Sequence, residues 1–260
     1  MLPYVNVLGK TIPMYGLAAM VGVLLAVLYL KLQEKRSKTL SADLELSLIY
    51  GLLGAVVGAK LLSIVTVLPN IIRDIPVLLE EPATFLNNYL LGGFVFYGGF
   101  YGAVMAVLLY CKFTHVSFDA VAQLLLPVFP LIHGFGRIGC FCMGCCYGKP
   151  AGDFPIAVIF AHSEIAPNGV PLLPVQLFEA ALEFGLFALL VLLSRRNFSG
   201  KKMLAIYCSI YGTARFLLEF LRGDEYRGFL VGMSTSQIIS IITLLLAAAL
   251  FWIDNRKSAK

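Results

Sequence analysis

The sequence predicts an all-α polytopic membrane protein with seven spanning helices, organised as a single integral membrane domain over residues 1–260. Three observations carry this. Hydrophobic residues make up 59% of the chain and charged residues 13%, about half the share of a typical soluble domain. The mean hydropathy is +0.86. The apolar residues also gather into runs of about 20, the length that crosses a bilayer as a helix. Soluble metabolic enzymes, nucleic-acid readers and disordered scaffolds are excluded by this composition, and a barrel is excluded because the runs lack period-two alternation.

The seven spans fall at 13–32, 43–68, 88–111, 118–139, 172–194, 203–222 and 235–254. Four open on a helix-start signal: Pro13, the Ser41–Asp43 cap region, Ser117–Asp119 and Thr235. Segment 1–11 holds a single lysine, and no small-residue cleavage site follows the first apolar run. The first span is therefore expected to stay in the chain rather than act as a cleaved signal. Between the second and third spans, Ile71, Ile72, Ile75, Leu78 and Leu79 alternate with Arg73, Asp74, Glu80 and Glu81, the composition of a short interfacial helix or a plain loop. The Gly- and Pro-rich stretch 147–172 reads as a small outer cap.

The net charge of +5 orients the chain. Twelve basic residues lie on one side of the spans: Lys31, Lys35, Arg36, Lys38, Lys112, Arg195, Arg196, Lys201, Lys202, Arg256, Lys257 and Lys260. The other side has five, namely Lys10, Arg73, Lys149, Arg222 and Arg227. Lysine and arginine accumulate in cytoplasmic loops, so the amino terminus is expected outside and the carboxyl terminus in the cytoplasm. An odd span count agrees with that. Neither an internal repeat nor an inverted pair of broken helices is visible, which disfavours a transporter.

Three basic residues remain inside spans: Lys60, Arg137 and Arg215. A buried charge in a membrane costs several kcal/mol and ordinarily faces a cavity or a partner. Lys60 must find one of these or stay neutral. His133 and Arg137 are one helical turn apart and can share one space, among Gly134, Gly136 and Gly139. A glycine-rich packing seam with a snorkelling arginine is the plainer alternative. In the sixth span, Tyr211, Arg215, Glu219 and Arg222 share one helical face, with Arg215 about 10 Å from Arg222 along the axis. An Arg–Glu–Arg ladder can simply neutralise itself; it can also open as an anion pocket, because guanidinium forks suit phosphate. Tyr15, Gln176 and Glu179 lie near the outer ends of other spans, and Tyr97 begins the glycine-rich Tyr97-Gly98-Gly99 within the third.

Cys140, Cys142, Cys145 and Cys146 form a C-x-C-x-x-C-C run. On the outer side it allows disulfides, packing, a metal or a reactive thiol, and the spacing does not choose among them. Cys111 and Cys208 read as small packing residues.

These residues carry a resemblance. Gly136-Arg137-Ile138-Gly139-Cys140-Phe141, followed by Gly144 and Tyr147-Gly148, resembles the prolipoprotein diacylglyceryl transferase signature G-R-x-G-N-F-x-N-x-E. Ile12-Pro13-Met14-Tyr15-Gly16-Leu17 is similar to the family's opening tyrosine motif, and Pro174-Val175-Gln176-Leu177-Phe178-Glu179 to its P-x-Q-L-Y-E. Tyr211-Gly212, Arg215-Phe216, Glu219-Phe220 and Arg222 resemble Y-G-x-x-R-F-x-x-E-x-x-R. Gly232-Met233-Ser234 with Gln237 is similar to G-x-S-x-x-Q, and Gly58-Ala59-Lys60-Leu61 to G-A-R-L.

The resemblance implies transfer of the diacylglyceryl group of phosphatidylglycerol to the lipobox cysteine thiol of an exported preprolipoprotein, with release of glycerol phosphate. It also implies a bacterial cytoplasmic (inner) membrane location with the site toward the outer leaflet, no cofactor or metal, no nucleic-acid partner, and a monomer. On that reading Arg137 and Arg215 hold the phosphate; Tyr97, in place of the family's usual His, and His133, as a substitute imidazole from a different helix, are the candidates for handling the proton. Tyr15, Tyr211, Glu219, Arg222 and Gln176 support the substrate.

The sequence departs from the family at Tyr97, where H-G-G is usual, at Cys140 for the signature Asn and at Cys145 for the signature Glu. Two alternatives follow from this: a related lipid transferase with another thiol or hydroxyl acceptor, and a membrane thiol redox or metal protein built on Cys140–Cys146.

Overall fold

The computed structural model describes residues 3–7, 9–34, 41–91, 93–224, 229–230 and 232–258. Lys35, Arg36, Lys38, Arg227 and Lys260, which entered the charge count, lie outside the described residues. Ten α-helices are found among the described residues: α1 Met14–Glu34, α2 Ser41–Arg73, α3 Ile75–Glu80, α4 Pro82–Leu86, α5 Phe96–Thr114, α6 Phe118–Leu125, α7 Val128–Met143, α8 Val175–Arg195, α9 Gly200–Leu218 and α10 Thr235–Ser258. They supply seven segments long and apolar enough to cross a membrane, the number expected.

The span limits differ where glycine and proline intervene. The third span begins at Phe96 rather than at 88, because Asn87–Leu91 forms a π-turn and Gly93 adopts φ +71°, a left-handed geometry that ends helices. The second runs through Pro69 to Arg73. The fourth breaks into α6 and α7 at Pro127, whose ring removes a backbone donor. The amphipathic stretch after α2 becomes two short helices, each opened by a proline in its first turn.

The chain divides into two compact units, Thr39–Val121 and Met1–Lys38 with Ala122–Lys260. In the first, α2 and α5 pack antiparallel through small residues. A Cβ added to Gly58 would strike the Gly98 carbonyl oxygen, and one added to Gly54 would lie 2.5 Å from the Gly102 carbonyl oxygen. This is the small-xxx-small device of membrane helices, in which backbones touch where side chains are absent. Lys60 is not stranded: its Nζ donates to the Gly93 carbonyl at 3.4 Å and lies 5.5 Å from the centre of the Phe94 ring.

In the second unit, α1 packs on α7, α7 on α8, α8 on α9 and α9 on α10. A hairpin of Tyr4–Val7 and Lys10–Pro13 precedes α1, turning at Gly9 with φ +77°. The segment after α7 is a small cap. Val158–Ile159 pairs with Pro171–Leu172, and Phe160, Ala166 and Leu172 form a core with Phe141, Tyr147 and Val170 against it. The G-x-S-x-x-Q motif resolves into a capping box at the start of α10. Ser234 Oγ accepts from the Gln237 amide at 3.2 Å, and the Ser234 amide donates to Gln237 Oε1 at 3.1 Å.

Candidate functional site

Three helices of the second unit each carry polar residues four apart, so each presents a polar stripe on one face. They are His133 and Arg137 on α7, Glu179 and Glu183 on α8, and Tyr207, Tyr211 and Arg215 on α9. Because the neighbouring helices run antiparallel, the stripes meet as two rungs.

The first rung centres on Glu179, 1% exposed. Its Oε2 accepts from Arg137 Nη2 at 2.5 Å and its Oε1 from the Tyr211 hydroxyl at 3.1 Å. Arg215 Nε stands 4.0 Å and His133 Nε2 3.8 Å from the same Oε1. The second rung centres on Glu183, which meets His133 Nδ1 at 2.7 Å and the Tyr207 hydroxyl at 3.5 Å. An unpaired carboxylate at either position would carry a large desolvation cost; Arg137 and Arg215 offset it at Glu179, and Glu183 is held by the His133 ring and the Tyr207 hydroxyl.

Arg215 reaches further. Its Nη1 lies 2.8 Å from Glu219 Oε2 and its Nη2 donates to Ser236 Oγ on α10 at 3.1 Å. The ladder expected over Tyr211–Arg222 therefore holds through Glu219 but not beyond. At Glu219 the helix tightens to a 3-10 turn, and Arg222 lies on extended backbone at φ −76°, ψ 143°. From there its guanidinium forks onto Asp224, at 2.9 Å through Nε and 2.5 Å through Nη2. Burial works against the Arg222 charge, but Cys146 and Asp224 outweigh it and hold its pKa above the ordinary value.

The other expected site residues are placed as follows. Gln176 is fully buried; its Nε2 donates to the Cys145 carbonyl at 2.8 Å, while its Oε1 has no hydrogen-bond partner among the described residues. Tyr15 opens α1, half exposed, with its backbone against Gly139 of α7. Tyr97 belongs to the other unit, where it is buried, stacked on Tyr101 at 6.4 Å and edge-on to Phe96 at 5.8 Å. Arg137 Nε is buried and also lacks a hydrogen-bond partner among the described residues. One guanidinium thus keeps a donor in reserve at the point where four polar groups converge.

Beyond α7, Gly144 turns through φ +77° and Cys146 through φ +56°. The chain folds back so that the Cys145 amide donates to the Cys140 carbonyl at 3.1 Å. The sulfurs of Cys140, Cys145 and Cys146 then lie within 4.8 Å of one another, with Arg137 Nη1 3.9 Å from Cys140 Sγ. All six cysteines are free thiols. Contacts from the Cys140 and Cys145 thiols, helped by Arg137 and Arg222, hold the Cys146 thiol well below its ordinary range against the opposing effect of burial. For Cys145 the Cys140 contact lowers the pKa, but the Cys146 contact and burial raise it to a net value of about 11.

The sequence points to the arginines, His133 and Tyr211 but not to the hubs. Glu179 stands out there only as a polar helix end and as the last residue of the P-x-Q-L-Y-E resemblance, and no motif marks Glu183, Tyr207, Ser236 or Asp224. The signal for the first two was present: two carboxylates four apart inside a 21-residue apolar helix, as anomalous in lipid as the basic residues that were counted.

The sequence profile of the prolipoprotein diacylglyceryl transferase family matches residues 3–253. A phosphatidylglycerol–prolipoprotein diacylglyceryl transferase of Clostridium tetani is 38% identical over 243 residues, covering 93% of each chain. A second of that name, numbered 2, from Clostridium perfringens is 34% identical over 260 residues, covering 98% of this chain and 96% of its own. One from Rhodospirillum rubrum is 33% identical over 257 residues, covering 93% and 88%. With seven apolar helices, the protein is a multi-pass membrane protein, and the chain belongs to the prolipoprotein diacylglyceryl transferase family.

Proposed function

We propose that this protein transfers the diacylglyceryl group of phosphatidylglycerol to the cysteine thiol of a prolipoprotein. The observation that carries the reading is the convergence of Arg137 and Arg215, from different spans, on Glu179, with Arg137 Nε buried and without a hydrogen-bond partner among the described residues. In the reaction the acceptor sulfur forms a bond to the glycerol carbon, the carbon–oxygen bond to phosphate breaks, and glycerol phosphate leaves. The thiol proton must go to a base, since thiolate is the nucleophile.

Arg137 and Arg215 are positioned to stabilise the charge that grows on the leaving phosphate. Glu179 orients both forks, and Tyr211 orients Glu179. His133, held between two carboxylates, and Tyr97 are the candidates for handling the proton. Tyr15 and Gln176, at the starts of α1 and α8, Glu219 on the 3-10 turn after α9 and Arg222 on the extended backbone beyond it support the bound substrates. The protein acts as one integral domain and a monomer in the bacterial cytoplasmic membrane, with its amino terminus outside and the site toward the outer leaflet. The loop-charge split of twelve to five supports this orientation.

The test uses purified protein, phosphatidylglycerol and a peptide with a lipobox cysteine, read by mass spectrometry. The expected result is a diacylglyceryl adduct on the thiol that disappears in Arg137→Ala. An intact, lipid-binding protein that forms no adduct would overturn the proposal. Equal turnover by His133→Ala and the wild type would remove His133 from the chemistry.

A further inference from the structure

We propose that Cys140, Cys145 and Cys146 form a three-thiolate binding site for a thiophilic divalent d10 cation, with zinc(II) as the representative ligand. The inference does not depend on the transfer reaction. It rests first on convergence: one sulfur from the last turn of α7 and two from the turn beyond it lie within 4.8 Å of one another. On a sphere at the usual Zn–S distance of about 2.3 Å, tetrahedral sulfurs stand about 3.8 Å apart. Each sulfur needs to move by less than about 1 Å to close on an ion at that spacing.

The backbone supports that convergence. Cys146 is one of three non-glycine residues with positive φ among the described residues, a geometry that costs a β-carbon-bearing residue roughly 1–2 kcal/mol. The Cys145 amide is tied to the Cys140 carbonyl, and the Cys145 carbonyl accepts from buried Gln176 on α8 at 2.8 Å. The loop that presents two of the sulfurs is thus anchored to two helices.

Charge is also accommodated. A divalent ion with three thiolates carries one net negative charge, and Arg137 Nη1 lies 3.9 Å from Cys140 Sγ. Cys145 and Cys146 are partly exposed whereas Cys140 is buried, so the fourth position is open to water, the three-plus-one arrangement common for zinc. Cys142 is the internal control. Two residues from Cys140, it points about 200° around the helix, and its sulfur is not part of the cluster. Ligation forms three Zn–S bonds and releases the remaining thiol protons to solvent without any change of oxidation state, so affinity should rise with pH.

The experiment uses reduced, metal-stripped protein in detergent with zinc(II) alone as the probe. One ion per chain is expected. Cys140→Ser, Cys145→Ser and Cys146→Ser should each weaken binding by more than the roughly 10–100-fold that altering a residue behind a ligand costs, and Cys142→Ser should bind as the wild type does. Because a serine variant can fail to fold, the wild type supplies a second reading: zinc should shield Cys140, Cys145 and Cys146, but not Cys142, from alkylation mapped by mass spectrometry. No shielding, or equal shielding of all four, would mean adventitious binding only and would overturn the site.

Discussion

The helix pairs α2–α5 and α7–α8 are joined by opposite means. Between α2 and α5 the backbones touch across Gly54, Gly58, Gly98 and Gly102, and no charge crosses that seam at those four positions. Between α7 and α8 the seam is polar, with Arg137 on Glu179 and His133 on Glu183. In lipid, apolar side chains gain little by meeting one another, so helices associate by close packing or by polar contact. A glycine seam needs nothing beyond shape. A seam of buried charge is costly wherever one partner is missing, and for that reason it is the seam whose residues call for a function.

The largest effect is expected where the polar seam loses its hub. Glu179→Gln leaves Arg137 and Arg215 without the carboxylate they share. It should lower apparent stability by about 3–5 kcal/mol, the range for breaking a buried pair, and abolish transfer in the same preparation. Thermal unfolding in detergent, followed beside the peptide-lipidation assay, measures both. Near-normal unfolding would show that the rung is dispensable to the fold.

Next comes the glycine seam. Gly58→Ala places a Cβ against the Gly98 carbonyl, which is backbone and cannot swing aside. Overpacking of this kind costs about 1–3 kcal/mol, and the unfolding midpoint of Gly58→Ala should fall accordingly. An unchanged midpoint would mean that α2 and α5 part without cost.

A smaller effect should come from the polar seam when only its geometry is altered. Tyr211→Phe removes one hydrogen bond to Glu179, at 3.1 Å, while the ring stays stacked on Tyr207 with centroids 5.7 Å apart. The expected cost is about 1 kcal/mol. Transfer should weaken more than stability does, because Glu179 is then free to rotate away from the forks it orients. Equal losses in both measurements would make Tyr211 a structural residue only.

The contrast between the seams also explains what the sequence could show. The apolar runs reveal the seven spans because length and hydropathy are local properties. Arg137 and Arg215 stand out because charge in lipid is anomalous wherever it occurs. That Glu179 is a hub is not local, since it depends on α7 and α9 presenting stripes at matching heights. The departure of Arg222 from its helical face depends on a 3-10 turn and on pairing of the chain on either side of it with residues 147–149, where the Lys149 amide donates to the Leu221 carbonyl at 2.8 Å and the Gly223 amide to the Tyr147 carbonyl at 3.0 Å. The hairpin ahead of α1 has strands of only four residues, too short for their alternation to register beside long helices. For Lys60, sequence shows the need for a partner, while the backbone break at Gly93 supplies it.

The smallest change in stability is expected at Gly136, and it is the sharpest test of the contrast. Gly54 and Gly58 of α2 and Gly98 and Gly102 of α5 face a neighbour's backbone, whereas a Cβ added to Gly136 meets nothing within 4 Å. Its neighbour in sequence is Arg137, whose buried Nε has no hydrogen-bond partner among the described residues. In a helix interior, exchanging glycine for alanine ordinarily stabilises by roughly 0.5–1 kcal/mol through backbone entropy. Gly136→Ala should therefore unfold at the wild-type temperature or slightly above it. If the open space beside Gly136 admits the donor lipid, the same variant should show a raised KM for phosphatidylglycerol with little change in kcat. Loss of lipid affinity without loss of stability is a combination that the glycine seam cannot produce, because there the added carbon meets protein. Wild-type KM in Gly136→Ala would assign the space to packing slack and move the lipid's entry elsewhere along α7.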